Sequence, residues 1–217
     1  MTDTNDPKRL IAIGDIHGEF RLLVELIERR IVFDPSSDRL VFLGDYIDRG
    51  PDSRQVVEYV SKLKKAHPAS LVLLAGNHES MAADALYMAN PLDNRMWLSN
   101  GGRATLDSYG SAGRAAKTLL PFIESLLTWY ETDTHIFVHA GVDQFMSLAE
   151  MPDEVILWSR TLCPHKSGRV VIIGHTVHER VMDYGGLVAV DTGAYMTGLL
   201  SAYDVFAKTV YTAASGR

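Results

Sequence analysis

Cysteine is nearly absent from this chain. Cys163 is the only one in 217 residues, so no internal disulfide can form and a reducing, cytoplasmic setting is expected. Long apolar runs are missing too: none approaches the roughly 20 residues that cross a bilayer, and no membrane partner is expected. The start, Met1-Thr2-Asp3-Thr4-Asn5-Asp6, is polar and acidic rather than basic and then apolar, unlike a secretion signal. Basic charge is in deficit, with 21 Lys and Arg against 27 Asp and Glu and a formal net charge of −6. A protein that coats a nucleic-acid duplex needs a basic stripe, so that class is set aside. Repeats, low-complexity tracts and linkers do not occur. With 47% hydrophobic residues the chain can bury one core, and a single domain over residues 1–217 is expected.

What is present is a repeated pattern of short apolar runs closed by glycine. Leu10-Ile11-Ala12-Ile13 runs into Gly14-Asp15-Ile16-His17-Gly18, and Leu40-Val41-Phe42-Leu43 into Gly44-Asp45-Tyr46-Ile47-Asp48-Arg49-Gly50. Leu71-Val72-Leu73-Leu74 leads, past Ala75, to Gly76-Asn77-His78-Glu79. Between them, Leu22, Leu23, Leu26 and Ile27, then Val56, Val57, Val60 and Leu63, recur with helical spacing. Strand, loop and helix in succession predict a parallel α/β core, whose strand ends carry the ligand-binding edge. Two further runs end likewise, Ile136-Phe137-Val138 at His139-Ala140-Gly141 and Val170-Val171-Ile172-Ile173 at Gly174-His175-Thr176.

Carboxylates, an amide and neutral imidazoles without thiolates suit hard or borderline divalent cations. Five separated ligand segments at strand ends also fit a two-metal site, in which a bound water becomes hydroxide near neutral pH. Arg49 adds a planar, permanently charged fork for a phosphate. Taken singly, Asp15 or Asp45 could cap a helix and Asn77 could serve a turn; one shared site accounts for all of them.

With these five segments in this order, from Gly14 to about Gly193, the chain resembles the calcineurin-like metallophosphoesterases, and within them the phosphoprotein phosphatase family that includes small bacterial and phage serine/threonine phosphatases. The resemblance implies two mixed β-sheets packed as a sandwich flanked by helices, with a small helical cap. It implies two divalent metal ions, manganese foremost with iron or zinc as alternatives. Asp15 and His17 would hold the first, Asp45 would bridge, and Asn77, His139 and His175 would hold the second. Arg49 and Arg160, the latter in Trp158-Ser159-Arg160, would bind phosphate oxygens beside Asn77, and His78, oriented by Asp48, would protonate the leaving oxygen. A metal-bridging hydroxide would attack phosphorus in line, and the substrate would be a phosphoprotein or a small phosphate ester. The chain departs from many family members at Ala75, where an arginine is usual. Asp191-Thr192-Gly193 is read as a structural segment behind the site.

Residues 81–127 form the expected cap, containing Trp97, Gly101-Gly102, Tyr109-Gly110 and a helical run from Ala115 to Leu127 broken near Pro121. It is the candidate for substrate selection. Equally, Leu86, Met88, Met96, Leu106 and Leu119 could simply pack a helical layer. After Gly174, Leu187–Val190, Leu199–Tyr203 and Lys208–Thr212 read as strands of a second, mostly antiparallel sheet. His67, His135, His165 and His178 are read as structural or surface residues, and Lys62, Lys64 and Lys65 as a solvated helix face.

Three functions compete on these residues. The first is a metal-dependent phosphomonoesterase acting on phosphoserine, phosphothreonine or phosphotyrosine. The second is a symmetrical dinucleoside tetraphosphate hydrolase, favoured by the short chain and Ala75 and opposed by Asp48-Arg49-Gly50 and by threonine after His175. The third is a binding protein on a decayed scaffold, opposed by the presence of His78 and all six candidate ligands.

Overall fold

Strand β1, Arg9–Ile13, alternates its apolar side chains between two cores, and that alternation defines the layers. Leu10 and Ala12 point one way, into a core shared with Phe137, Ile172 and Val188, while Ile11 and Ile13 point the other way, under helices. The computed structural model describes residues 7–88 and 95–216. The polar start at 1–6, residues 89–94 of the expected cap, and the side chain of Met88 lie outside the described residues.

Helix α1, Phe20–Glu25, continues as a π-turn through Leu26–Ile31 and ends at Val32, with Arg29 and Arg30 in the last turn where the helix dipole favours cations. Strand β2 is Asp38–Phe42, helix α2 Ser53–Ala66 and strand β3 Leu71–Leu73. β1, β2 and β3 are parallel neighbours, as the strand–loop–helix pattern predicts. Helix α3, Asn77–Met88, is followed by α4, Arg103–Tyr109, and α5, Ala112–Glu124. The expected break at Pro121 does not occur: α5 runs through it and ends three residues later, at Glu124. A proline there removes one backbone donor close to the helix end, where little helix remains to be interrupted.

The second sheet comprises β4, Trp129–Glu131; β5, His135–Val138; β6, Val170–Ile173; β7, Met182–Asp183; and β8, Leu187–Ala189, in the order β4-β5-β6-β8-β7. Helix α6, Asp153–Trp158, covers its outer face, against Ile136, Val138, Val171 and Ile173. Short helix α7, Ala194–Thr197, precedes β9, Leu199–Asp204, and β10, Thr209–Ala214.

The fold is therefore two mixed five-stranded sheets packed face to face with helices outside, but the late strands distribute differently from the expectation. β8 lies parallel to β6 in the second sheet, while β9 joins the first sheet antiparallel to β1 and β10 pairs antiparallel with β9 at its edge. β9 is buried along nearly its whole length, so its sequence lacks the alternation that would show which sheet it joins. Among the described residues no helix is long and apolar enough to cross a membrane.

Candidate metal centre and its acid pair

The loops leaving β1, β2, β3, β5 and β6 meet at one edge of the sandwich, and several of their residues adopt backbone conformations that side chains rarely take. His17, Asp45, Asp48, Arg49 and His175 have φ of 46°, 52°, 71°, 68° and 58°. Left-handed backbone at non-glycine residues costs energy and persists where surrounding contacts over-determine it, typically at functional sites. Here the contacts are visible. Ile16 and His17 donate backbone N–H groups to the Asp45 carbonyl at 3.0 and 2.9 Å. Gly76 approaches so closely that a Cβ placed on it would lie 2.1 Å from Asp45 Oδ1.

Two three-residue groups share Asp45: His17, Asp45 and His78, and Asp45, His139 and His175, each with ligand-capable atoms within 4.8 Å of one another. His17 and His139 direct Nδ1 at the carbonyls of Ile47 and Leu43, both at 2.8 Å, which turns their Nε2 lone pairs inward. Asp45 Oδ2 lies 3.4 Å from Nε2 of His17, and Asp45 Oδ1 lies 3.5 Å from Nε2 of His139. Asn77 Oδ1 stands 2.9 Å from Nε2 of His139 and 3.2 Å from Nδ1 of His175. Burial pushes the His17 and His175 imidazoles down to about 3, and that of His139 down as well, so all three are neutral. Burial opposes ionisation of Asp45, but its electrostatic interaction with His139, His78 and His17, joined by the His78 backbone N–H, holds its carboxyl below the ordinary range.

Asp15 is buried beside this cluster, with both oxygens 3.1 Å from the His175 backbone N–H. Burial first, then Asp191 and Asp45, push its carboxyl well up. Burial likewise raises Asp191 to about 6, with Asp45 adding to the shift. Crowded carboxylates, inward lone pairs and the buried, unpartnered Nε2 of His175 form a donor set that fits divalent cations.

His78 sits in the first turn of α3 and is buried, with Nδ1 2.7 Å from Asp48 Oδ2 and Nε2 making no hydrogen bond among the described residues. Burial disfavours its charged form, yet Asp45 and Asp48 carry its pKa upward overall. Arg49 donates to Nε2 of His17 at 2.7 Å, and its guanidinium lies 4.7 Å from the ring centre of Tyr195. Arg160 is exposed, and its charge helps to lower the His175 pKa. Ala75 is half-buried against the outer core of the second sheet.

Four groups at this edge have no role assigned from the sequence. Glu79 is fully buried and its carboxylate receives the backbone N–H groups of Asp45, Tyr46 and Gly76. Trp97 and Thr105 reach Asp48 from the helical insertion, and Tyr195 stacks edge-on to His17. Glu79 closes the Gly76-Asn77-His78-Glu79 segment and could have been found there; for Thr105 and Tyr195 no local signal exists, because only tertiary folding brings them here. Two of the histidines read as structural have local partners. His165 bonds Ser167 and the Met146 carbonyl, and His178 the Thr176 carbonyl and Tyr184. Lys64 differs from the expected solvated residue, since its ammonium caps the carbonyls of Pro68 and Leu71.

Residues 8–203 match the family description calcineurin-like phosphoesterase. The chain belongs to that family. Its sequence is 33% identical over 200 residues to serine/threonine-protein phosphatase 1 of Salmonella typhimurium, covering 87% of this chain and 88% of that protein. It is 28% identical over 213 residues to serine/threonine-protein phosphatase 2 of Escherichia coli, covering 91% and 93% of the two chains. Among solved structures, one described as a candidate diadenosine tetraphosphatase superposes with a TM-score of 0.75 at 18% identity, covering 99% of this chain and 96% of that one. A cold-active protein-tyrosine phosphatase from Shewanella gives 0.70 at 17% identity, covering 96% of this chain and 81% of that one. These two structural likenesses bear on the fold of this phosphoesterase alone.

Proposed function

We propose that this phosphoesterase hydrolyses phosphate monoesters on serine and threonine side chains of proteins. The observation that carries the reading is the sharing of Asp45 between two ligand groups next to the His78–Asp48 pair. Similarity to two bacterial serine/threonine phosphatases along most of both chains supports the choice of substrate.

Two divalent ions, with manganese the first choice and iron or zinc alternatives, would supply positive charge to the phosphoryl oxygens and acidify a water when bound. Asp15, His17 and Asp45 would hold one, and Asp45, Asn77, His139 and His175 the other. Arg49 and Arg160 bind the phosphate oxygens, with the Tyr195 ring steadying the Arg49 fork. His78 donates a proton from Nε2 to the departing serine or threonine oxygen, while its Nδ1 stays bonded to Asp48. Asp191 is given a structural role beside the carboxylates.

The second reading, a dinucleoside tetraphosphate hydrolase, keeps one specific observation in its favour: Ala75 leaves the position before Gly76 without a cation. Inorganic phosphate released by manganese-loaded and chelator-treated protein from a phosphoserine or phosphothreonine peptide and from a phosphotyrosine peptide, set against adenosine diphosphate formed from diadenosine tetraphosphate, decides between them. Preference for the phosphoserine or phosphothreonine peptide, lost on chelation, is expected; cleavage of the dinucleotide to two nucleoside diphosphates in preference would replace the proposal.

A further inference from the structure

Two residues of the helical insertion, Trp97 and Thr105, take hold of Asp48, the residue proposed to orient the acid. Asp48 is fully buried, and its two carboxylate oxygens are completely engaged. Oδ2 faces His78 Nδ1 at 2.7 Å, Oδ1 accepts the Thr105 hydroxyl at 2.6 Å, and the Trp97 indole N–H is shared between the two at 3.0 and 2.9 Å. Thr105 also receives the Asp48 backbone N–H at 2.9 Å, so one threonine fixes both the backbone and the side chain of a residue held at φ 71°. The Trp97 ring is buried against Gly102, where any Cβ would lie 2.7 Å from three ring atoms. Neither Trp97 nor Thr105 belongs to the loop that carries Asp48.

We infer that Trp97 and Thr105 are positioning residues for proton donation, acting on His78 through the Asp48 carboxylate. A carboxylate bound on one side only could rotate about its Cβ–Cγ bond, and the imidazole would follow it. Donors on the far side remove that freedom, so Nε2 of His78 is held toward the leaving oxygen before substrate arrives. The inference rests on the phosphatase reading above for the reaction, but the hydrogen-bonded chain itself does not.

The test uses Trp97→Phe, which keeps a buried aromatic ring and removes the N–H, and Thr105→Val, which keeps the shape and removes the hydroxyl, with Thr105→Ser as the rescue. An oriented acid matters most when the leaving group is a poor one. On a phosphoserine peptide, whose alkoxide must be protonated, kcat is expected to fall about ten-fold or more in both variants, within the range general acids supply. On p-nitrophenyl phosphate, whose leaving group needs no proton, it is expected to stay within about two-fold, and Thr105→Ser should recover the peptide rate. In metal-free protein labelled with nitrogen-15 histidine, the His78 Nδ1–H resonance should exchange with water faster in the Trp97→Phe and Thr105→Val variants than in wild type. Equal losses on both esters, or an unchanged Nδ1–H exchange rate in variants that melt like wild type, would overturn the positioning role. Wild-type protein that hydrolyses neither ester would instead overturn the phosphatase reading, with the exchange experiment still deciding the hydrogen-bonded chain.

Discussion

The carboxylate of Glu79 receives the backbone N–H of Asp45 at 2.8 Å, so the residue shared by both ligand groups is held by an acid that belongs to neither of them. The same Oε2 accepts the Gly76 N–H at 2.9 Å, and Oε1 accepts that of Tyr46 at 2.9 Å. One buried side chain thus ties the loop after β2 to the turn before α3, and does so where Asp45 is left-handed and needs outside support. Burial, followed by the charge of Asp45, pushes the Glu79 carboxyl up, and the N–H groups of Gly76 and Asp45 oppose that rise.

Glu79→Gln should therefore destabilise the fold and loosen the centre together. A glutamine has one acceptor oxygen for three N–H groups and turns its own NH2 toward at least one of them. Leaving a buried donor unpaired costs about 1–3 kcal/mol. Denaturant unfolding should show a loss of that size, and manganese affinity by calorimetry should drop in the same variant. Unchanged stability with unchanged affinity would remove Glu79 from the support of Asp45.

His78 has two possible employments that the geometry allows, since its Nε2 lies 3.9 Å from Asp45 Oδ2 inside one of the ligand groups. As the acid, its replacement by asparagine should lower kcat on a phosphoserine peptide by roughly 10²–10⁴ while two manganese ions still bind. Metal analysis of His78→Asn is the deciding measurement. Loss of one ion along with activity would move His78 from the acid to the ligands, and Asp48 with it.

Much of this was legible in the chain because it is local. Each segment follows an apolar run of branched residues and contains a glycine near the strand end, so the meeting of Asp15, His17, Asp45, Asn77, His139 and His175 at one edge can be read from position, while their division between two metals is what the family resemblance implies. Arg49 belongs to the same kind of segment, whereas Arg160 is pointed to by the family resemblance alone. The sheet that β9 joins was not legible, because pairing with β1 is a choice between two apolar surfaces and no turn signal encodes it; β10 then follows β9 as its antiparallel neighbour. Thr105 and Trp97 lie 57 and 49 residues from Asp48 in sequence, and nothing in a threonine within a helical run signals a hydrogen bond at that distance. Within the insertion the packing expectation is met and a contact with Asp48 is added. Leu119 is buried and Leu86 and Leu106 pack on the core, as a helical layer requires, while Met96 is 48% exposed and Trp97 reaches the acid pair.

Asp191 gives a pH dependence whose sign can be worked out. Burial raises its pKa from the ordinary 3.8 to about 6, so between those values the folded chain binds more protons than the unfolded one. That contribution to stability is present at low pH and is lost as pH rises through about 6. Asp191→Asn keeps the Oδ1 acceptor that binds the Gly193 N–H at 2.8 Å and removes the charge. In chelator-treated protein at pH 7 the variant should be more stable than wild type by about 1–3 kcal/mol, from the size of the shift. The gap should close at pH 4. A variant less stable than wild type at pH 7 would show that the Asp191 charge is compensated by some other group.

Gly101 offers a way to disturb Arg49, the fork proposed for phosphate, from outside the loop that carries it. Its carbonyl accepts the Arg49 backbone N–H at 3.2 Å, and at φ 102° it adopts a conformation that costs a side chain energy. A Cβ at this position would sit 2.8 Å from both Arg49 N and Arg49 Cγ, contacts that must be relieved by moving one segment or the other. Because Gly101 touches Arg49 and makes no bond to His78, Gly101→Ala should raise KM for a phosphoserine peptide by about ten-fold, near 1.4 kcal/mol of lost binding, and leave kcat much closer to wild type. Competitive inhibition by inorganic phosphate should weaken by a similar factor, since the role proposed for Arg49 is to grip the phosphate oxygens. If kcat falls and KM holds, the insertion acts on the proton transfer alone, and Arg49 owes its orientation to His17 and the Tyr195 ring rather than to Gly101.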